Sequence, residues 1–159
     1  MLSCRLLFSI SSRLKNEEAT MTSLSAEVLA QMKSVAKQAA ANAYCCYSQF
    51  PVGAALLTVD GQMIPGCNVE NISYGLTNCA ERTAIYSATA QGINKQAMQA
   101  MLIYMPGNKL YSPCGACRQV IAEFLAADTP IYAACDDENQ LQQWTVQSLL
   151  PAGFSFDGL

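Results

Sequence analysis

Apolar positions change period along this chain, and the changes mark its elements. Val28, Leu29, Met32, Val35, Ala36 and Ala39 recur at helical spacing behind Ser25, a residue suited to capping a helix start. That helix is expected to fade by Tyr44. The run VGAALLTVD, residues 52–60, lacks polar alternation and reads as a buried strand. Asp60-Gly61 is a hairpin signal, with Gln62 to Val69 as the returning strand. Cys79 to Ala90 reads as an Ala-rich helix, Ala100 to Met105 as a third strand, Cys114 to Ala126 as a helix and Pro130 to Cys135 as a fourth strand. A last short strand is expected around Trp144 to Val146, followed by LLPAGF. One helix, two strands, then strands alternating with helices predict an α/β fold: a mixed sheet with a hairpin at its start, covered by helices.

At 159 residues the chain has room for one domain, taken as 24–159. Apolar residues make up 52% and charged ones 13%, which suggests that some apolar surface is buried between subunits. The first stretch, MLSCRLLFSISSRLK, is Ser-rich and basic, with no acidic residue before Glu17. Residues 1–23 therefore resemble a mitochondrial presequence. An extension without structure, or translation from Met21, is the preferred reading, and the expected location is cytoplasmic. The net charge of −3, with no cluster of Lys and Arg, speaks against a nucleic-acid partner. No apolar run is long enough to span a membrane.

Eight cysteines are many for this length, and there is no histidine. Without a clean secretory signal, a metal or catalytic role for some cysteines is the better default. Cys114 and Cys117 form a C-x-x-C at a predicted helix start, where three-residue spacing puts both sulfurs on one face. Cys79 also begins a predicted helix, and helix N-termini favour thiolates. Three thiolates together would bind zinc and leave a fourth position for water. A four-cysteine zinc knot, completed by Cys45, Cys46, Cys67 or Cys135, is an alternative, and so is a redox dithiol. Glu81, two residues after Cys79, favours a catalytic site, because a carboxylate beside zinc-bound water can move its proton.

Taken with these motifs, FPVGAAL at 50–56, NVEN at 68–71, NCAERTA at 78–84, SPCGACRQ at 112–119 and LLPAGF at 149–154 resemble the small cytidine deaminases in order and spacing. The resemblance covers roughly Leu24 to Phe154. It implies a three-layer α/β/α sandwich around a five-stranded mixed sheet. It also implies zinc-dependent hydrolytic deamination of cytidine and deoxycytidine to uridine and deoxyuridine, with release of ammonia, in pyrimidine salvage. Cys79, Cys114 and Cys117 would hold one Zn²⁺ per chain, and Glu81 would shuttle protons. Phe50 would pack on the pyrimidine, Asn68 and Glu70 would bind the ribose hydroxyls, and the backbone of Cys79 and Ala80 would face the base. Arg82 would hydrogen-bond the ligand sulfurs and withdraw charge from them. Tyr74 and Phe154 would reach a neighbouring subunit's site in a homotetramer. The stretch AYCCYSQF departs from the family pattern, where Pro is expected at position 46 and often His at 49. A polynucleotide-editing deaminase and a deaminase for another aminopyrimidine remain as rivals.

Overall fold

The computed structural model describes residues 24–155. The extension 1–23, with its presequence reading, lies outside them, as do 156–159 of the expected domain. Ser25 starts the first helix, α1 (Ala26–Ala40), by accepting a hydrogen bond from the Val28 amide at 3.3 Å. Met32, Ala36, Ala39 and Ala40 form its buried stripe. The hairpin follows as β1 (Gly53–Thr58) and β2 (Met63–Cys67), turning at Gly61, whose φ of 85° suits glycine. Then come α2 (Ala80–Ala90), β3 (Met98–Tyr104), α3 (Gly115–Phe124), β4 (Pro130–Ala134), β5 (Leu141–Thr145) and α4 (Val146–Leu149).

The five strands lie in the order β2-β1-β3-β4-β5. β1 is antiparallel to both β2 and β3, β3 is parallel to β4, and β4 is antiparallel to β5. Every residue of β1 is buried, as its unbroken apolar run requires. Its side chains alternate between two cores. Ala55 and Leu57 meet α1 with Leu102, Tyr104 and Tyr132. Ala54 and Leu56 share the other core with Ala84 and Ile85 of α2 and Ile121 of α3. The result is three layers: α1, the sheet, and the α2–α3 pair.

Strand direction places the start of both α2 and α3 at one edge. β2 and β3 run the same way, because each is antiparallel to β1, and α2 and α3 begin beyond their C-terminal ends. Ligand sites of mixed and parallel sheets favour this edge.

Most elements begin or end one or two residues from the sequence expectation, and two of these differences have a local cause. The last strand runs Leu141–Thr145 instead of Trp144 to Val146, and Val146 opens α4. A reciprocal cap between Thr145 and Ser148 turns the chain into helix at that point. α3 ends at Phe124 rather than Ala126, because Leu125 turns extended and is buried.

Close packing of glycine sets the depth of the α2 layer. A Cβ on Gly66 would overlap the Ala80 carbonyl and the Ala84 amide of α2, and one on Gly53 would overlap the Ala36 carbonyl of α1. Gly66→Ala should therefore lower stability by about 1–3 kcal/mol in denaturant unfolding and weaken metal retention, since α2 must move. Gly75→Ala, with open space around its Cβ, should leave both unchanged.

Candidate active site

Cys79 is the cap of α2 and Cys114 the cap of α3, while Cys117 is the third residue into α3. Neither cap thiol bonds its own helix amides, so both sulfurs stay available to a metal. The Cys79 and Cys114 sulfurs are 3.9 Å apart, and all three sulfurs lie within 4.8 Å of one another. Tetrahedral zinc with Zn–S bonds near 2.3 Å sets sulfurs about 3.8 Å apart, so the three thiols fit this ion. Among the described residues the cluster contains no fourth member: Cys45, Cys46, Cys67 and Cys135 stand apart from it. That disposes of the four-cysteine knot and leaves the open position a catalytic metal needs.

The nearby Cys117 thiol, with help from Arg82, lowers the Cys79 pKa to about 5. The nearness of Cys79, together with burial, pushes Cys117 up. Arg82 donates from Nη2 to the Thr77 carbonyl at 3.0 Å and to the Cys79 sulfur at 3.6 Å. Burial works against its charge, but the Cys79 and Cys117 sulfurs more than compensate and hold it protonated. The guanidinium thus touches the Cys79 sulfur.

Glu81 is 5% exposed and lines a pocket of about 250 Å³ with Cys79 and Ala80. Burial raises its pKa, and the charge on Cys79 raises it further, against the pull of its own backbone amide. A raised pKa makes a carboxyl a better proton acceptor than an exposed one. Phe50, Asn68 and Glu70 line the same pocket. Phe50 packs edge-on to Tyr111, with ring centroids 6.1 Å apart. Asn68 accepts from the Val52 amide at 2.9 Å and donates to the Phe50 carbonyl at 3.1 Å. Glu70 Oε2 accepts from the Tyr47 and Ser48 amides at 2.8 and 3.1 Å, and bonding to Ser48 leads in lowering its pKa. Gln49, at φ 54°, turns the chain into Phe50, so this bend forms without a proline at 46.

Of the three thiols only Cys79 lines the pocket, Arg82 lies outside its lining, and Tyr74 and Phe154 stand away from it. Tyr74 is 75% exposed and packs on Tyr47, and Phe154 is 76% exposed. Conversely, Ser48, Thr77, Tyr111, Ser112 and Pro113 line the pocket without having been singled out from sequence. Ser112 and Pro113 did lie inside a quoted motif; Tyr111 had only its place beside that motif as a signal.

Removing one thiol should abolish the metal site. Cys114→Ala is expected to purify with far less than one zinc per chain and no turnover, whereas exposed Cys46→Ala should keep full metal. Metal content by atomic absorption checks both. A Cys114→Ala protein with full zinc would end the ligand assignment.

Similarity to known proteins agrees with this geometry. A family model for the cytidine and deoxycytidylate deaminase zinc-binding region matches residues 26–133. A cytidine deaminase of Sporosarcina psychrophila is 46% identical over 123 residues, covering 77% of this chain and 88% of that one. A probable cytidine deaminase of Dictyostelium discoideum is 42% identical over 117 residues, covering 74% and 77%. The crystal structure of cytidine deaminase from Burkholderia pseudomallei superposes with a TM-score of 0.75 at 41% identity, covering 79% of this chain and 98% of that one. The matched region holds Cys79, Cys114, Cys117 and Glu81 together, and this chain belongs to the cytidine and deoxycytidylate deaminase family.

Proposed function

We propose that the chain catalyses hydrolytic deamination of cytidine and deoxycytidine, with one zinc ion per chain. The observation that carries this is a three-thiol cluster whose Cys79 lines the same small pocket as Glu81, a carboxyl whose pKa burial raises. Zinc held by Cys79, Cys114 and Cys117 supplies a Lewis acid that makes water a nucleophile near neutral pH. Glu81 takes the proton lost by the attacking water and places it on N3 of the pyrimidine, which makes C4 electrophilic. The water oxygen bonds to C4, Glu81 carries the remaining hydroxyl proton to the amino nitrogen, and the C4–N4 bond breaks to release ammonia and leave the C4 carbonyl. Water is consumed, and uridine or deoxyuridine is the product.

In this reading Phe50 packs on the base, the backbone of Cys79 and Ala80 faces its edge, and Asn68 and Glu70 take the ribose hydroxyls. Support comes from their shared pocket. Arg82 offsets the negative charge of the ligand sulfurs. The charged side chains lining the pocket are Glu70 and Glu81, both acidic, and no Lys or Arg lines it among the described residues. A free nucleoside therefore suits it better than a 5′-monophosphate, which Glu70 would repel. Three reduced thiols poised for metal suit a reducing compartment, which supports a cytoplasmic location. Among the described residues no helix is long and apolar enough to cross a membrane.

A homotetramer with shared sites completes the proposal. Tyr74, Ile72, Leu76 and Phe154 are exposed apolar side chains, and Phe154 does not line its own chain's pocket. A neighbouring chain's Phe154 would then close over the base.

Glu81→Gln should keep zinc and fold but lose more than about 10⁴-fold in turnover, since one group serves several proton transfers. In an ammonia-release panel, cytidine and deoxycytidine should react well, and cytidine monophosphate, cytosine and single-stranded DNA poorly. Near-normal turnover by Glu81→Gln, or equal efficiency on the monophosphate, would overturn the corresponding assignment.

Subunit sharing has its own check. Glu81→Gln chains lack the proton shuttle but keep Phe154, and Phe154→Ala chains have the reverse defect. Co-refolded hetero-oligomers should exceed the summed activity of the two parents. Mixtures that only average the parents, with hetero-oligomers proven, would place Phe154 in its own subunit's service.

A further inference from the structure

Arg118 follows the ligand Cys117 by one residue, and its guanidinium spends all three nitrogens on separate acceptors. Nε donates to the Pro113 carbonyl at 2.8 Å, Nη2 to the Ser112 hydroxyl at 2.6 Å and Nη1 to the Leu149 carbonyl at 3.1 Å. Ser112 and Pro113 form a wall of the pocket. Leu149 is the last residue of α4, where the tail ending in Phe154 departs. The neighbouring residue, Gln119, donates from Nε2 to the Phe154 carbonyl at 3.0 Å. One turn of α3 thus grips the pocket wall and both ends of the tail.

The tail needs such a grip. Ala152 sits at φ 56°, a left-handed conformation that costs energy for any residue with a Cβ. The segment 151–155 is exposed throughout, so burial does not hold it in place. Gln119 bonds the Phe154 carbonyl within it, and Arg118 bonds the Leu149 carbonyl at the end of α4, from which the segment departs. Nor is Arg118 held by opposite charge: the ion pairs among the described residues join Lys33 to Glu138 and Lys37 to Asp136. All three acceptors of Arg118 are neutral oxygens. What they require is a planar fork with donors in divergent directions, which a lysine ammonium does not supply.

We propose that Arg118 is a positioning residue for the deaminase reaction: it locks the Ser112–Pro113 wall and the Phe154 tail to the helix that carries Cys114 and Cys117. This rests on the deaminase reading above. Substrate affinity depends on the wall and the tail, whereas the proton transfers belong to Glu81, so losing Arg118 raises KM more than it lowers kcat.

The test compares full-length Arg118→Ala and Arg118→Lys with the parent chain, all zinc-loaded. Zinc content, KM and kcat for cytidine are measured, with hydrogen exchange at the Leu150 and Gly153 amides. These amides bond to the Val146 and Leu150 carbonyls and so report the tail. Full zinc, a KM raised about tenfold or more, kcat within about threefold and tail exchange accelerated about tenfold are expected of both variants, with α3 protection unchanged. Unchanged KM and tail exchange would overturn the proposal. So would recovery of the parent KM in Arg118→Lys, which would reduce the role to charge. Loss of zinc and of α3 protection together would also overturn it, as a plain structural effect. A parent chain inert towards cytidine would sink the deaminase reading instead, and tail exchange in the two variants would still decide for or against the lock.

Discussion

Two helices begin at the same edge of one sheet, and each begins with a cysteine. Bringing those two N-termini within bonding reach of a single ion is the constraint on which the other features of the site depend. β2 and β3 must point the same way, which the intervening antiparallel β1 ensures. α2 must lie deep on the sheet, which the missing side chain at Gly66 permits. The sulfurs then arrive 3.9 Å apart for Cys79 and Cys114, with Cys117 one turn into α3. Partial positive charge from both helix ends falls on the place where negative sulfur accumulates.

That accumulation decides the electrostatics nearby. Three thiolates outweigh one divalent cation, and Glu81 adds another acid beside them. Arg82 answers from the first turn of α2, at 3.6 Å from the Cys79 sulfur. The charge on Cys79 adds to burial in raising the Glu81 pKa. A metal-binding sulfur and the carboxyl beside it thus feel one local field.

Much of this was legible in the sequence because the chemistry lies close together along the chain. Cys79-Ala80-Glu81 and Cys114–Cys117 are local patterns, each at a helix start. The strands were legible too, since β1 buries both faces and so carries an unbroken apolar run. Val146 misled because it continues the apolar alternation of Trp144, while the cap that ends the strand uses Ser148, a residue without the acidic signature of a capping box. Tyr111 was missed because it lies in an aperiodic loop, and its contact with Phe50 joins residues far apart in the chain. Tyr74 and Phe154 were singled out by resemblance alone, and a single chain leaves both at its surface.

The amide of Asn68 has a consequence for recognition. Its oxygen already accepts from Val52 and its nitrogen already donates to Phe50, so the group cannot turn over without breaking both bonds. One acceptor lone pair and one N–H remain, each with a direction set before any ligand arrives. Binding then freezes no rotor at this position, and the entropy of ordering the side chain is spent during folding. The bond to Phe50 ties the backbone of the residue that would stack on a base to the side chain that would read a sugar. Base and sugar would then be measured against one rigid ruler, and the pocket would sense the distance between the two halves of a nucleoside as well as the chemistry of each.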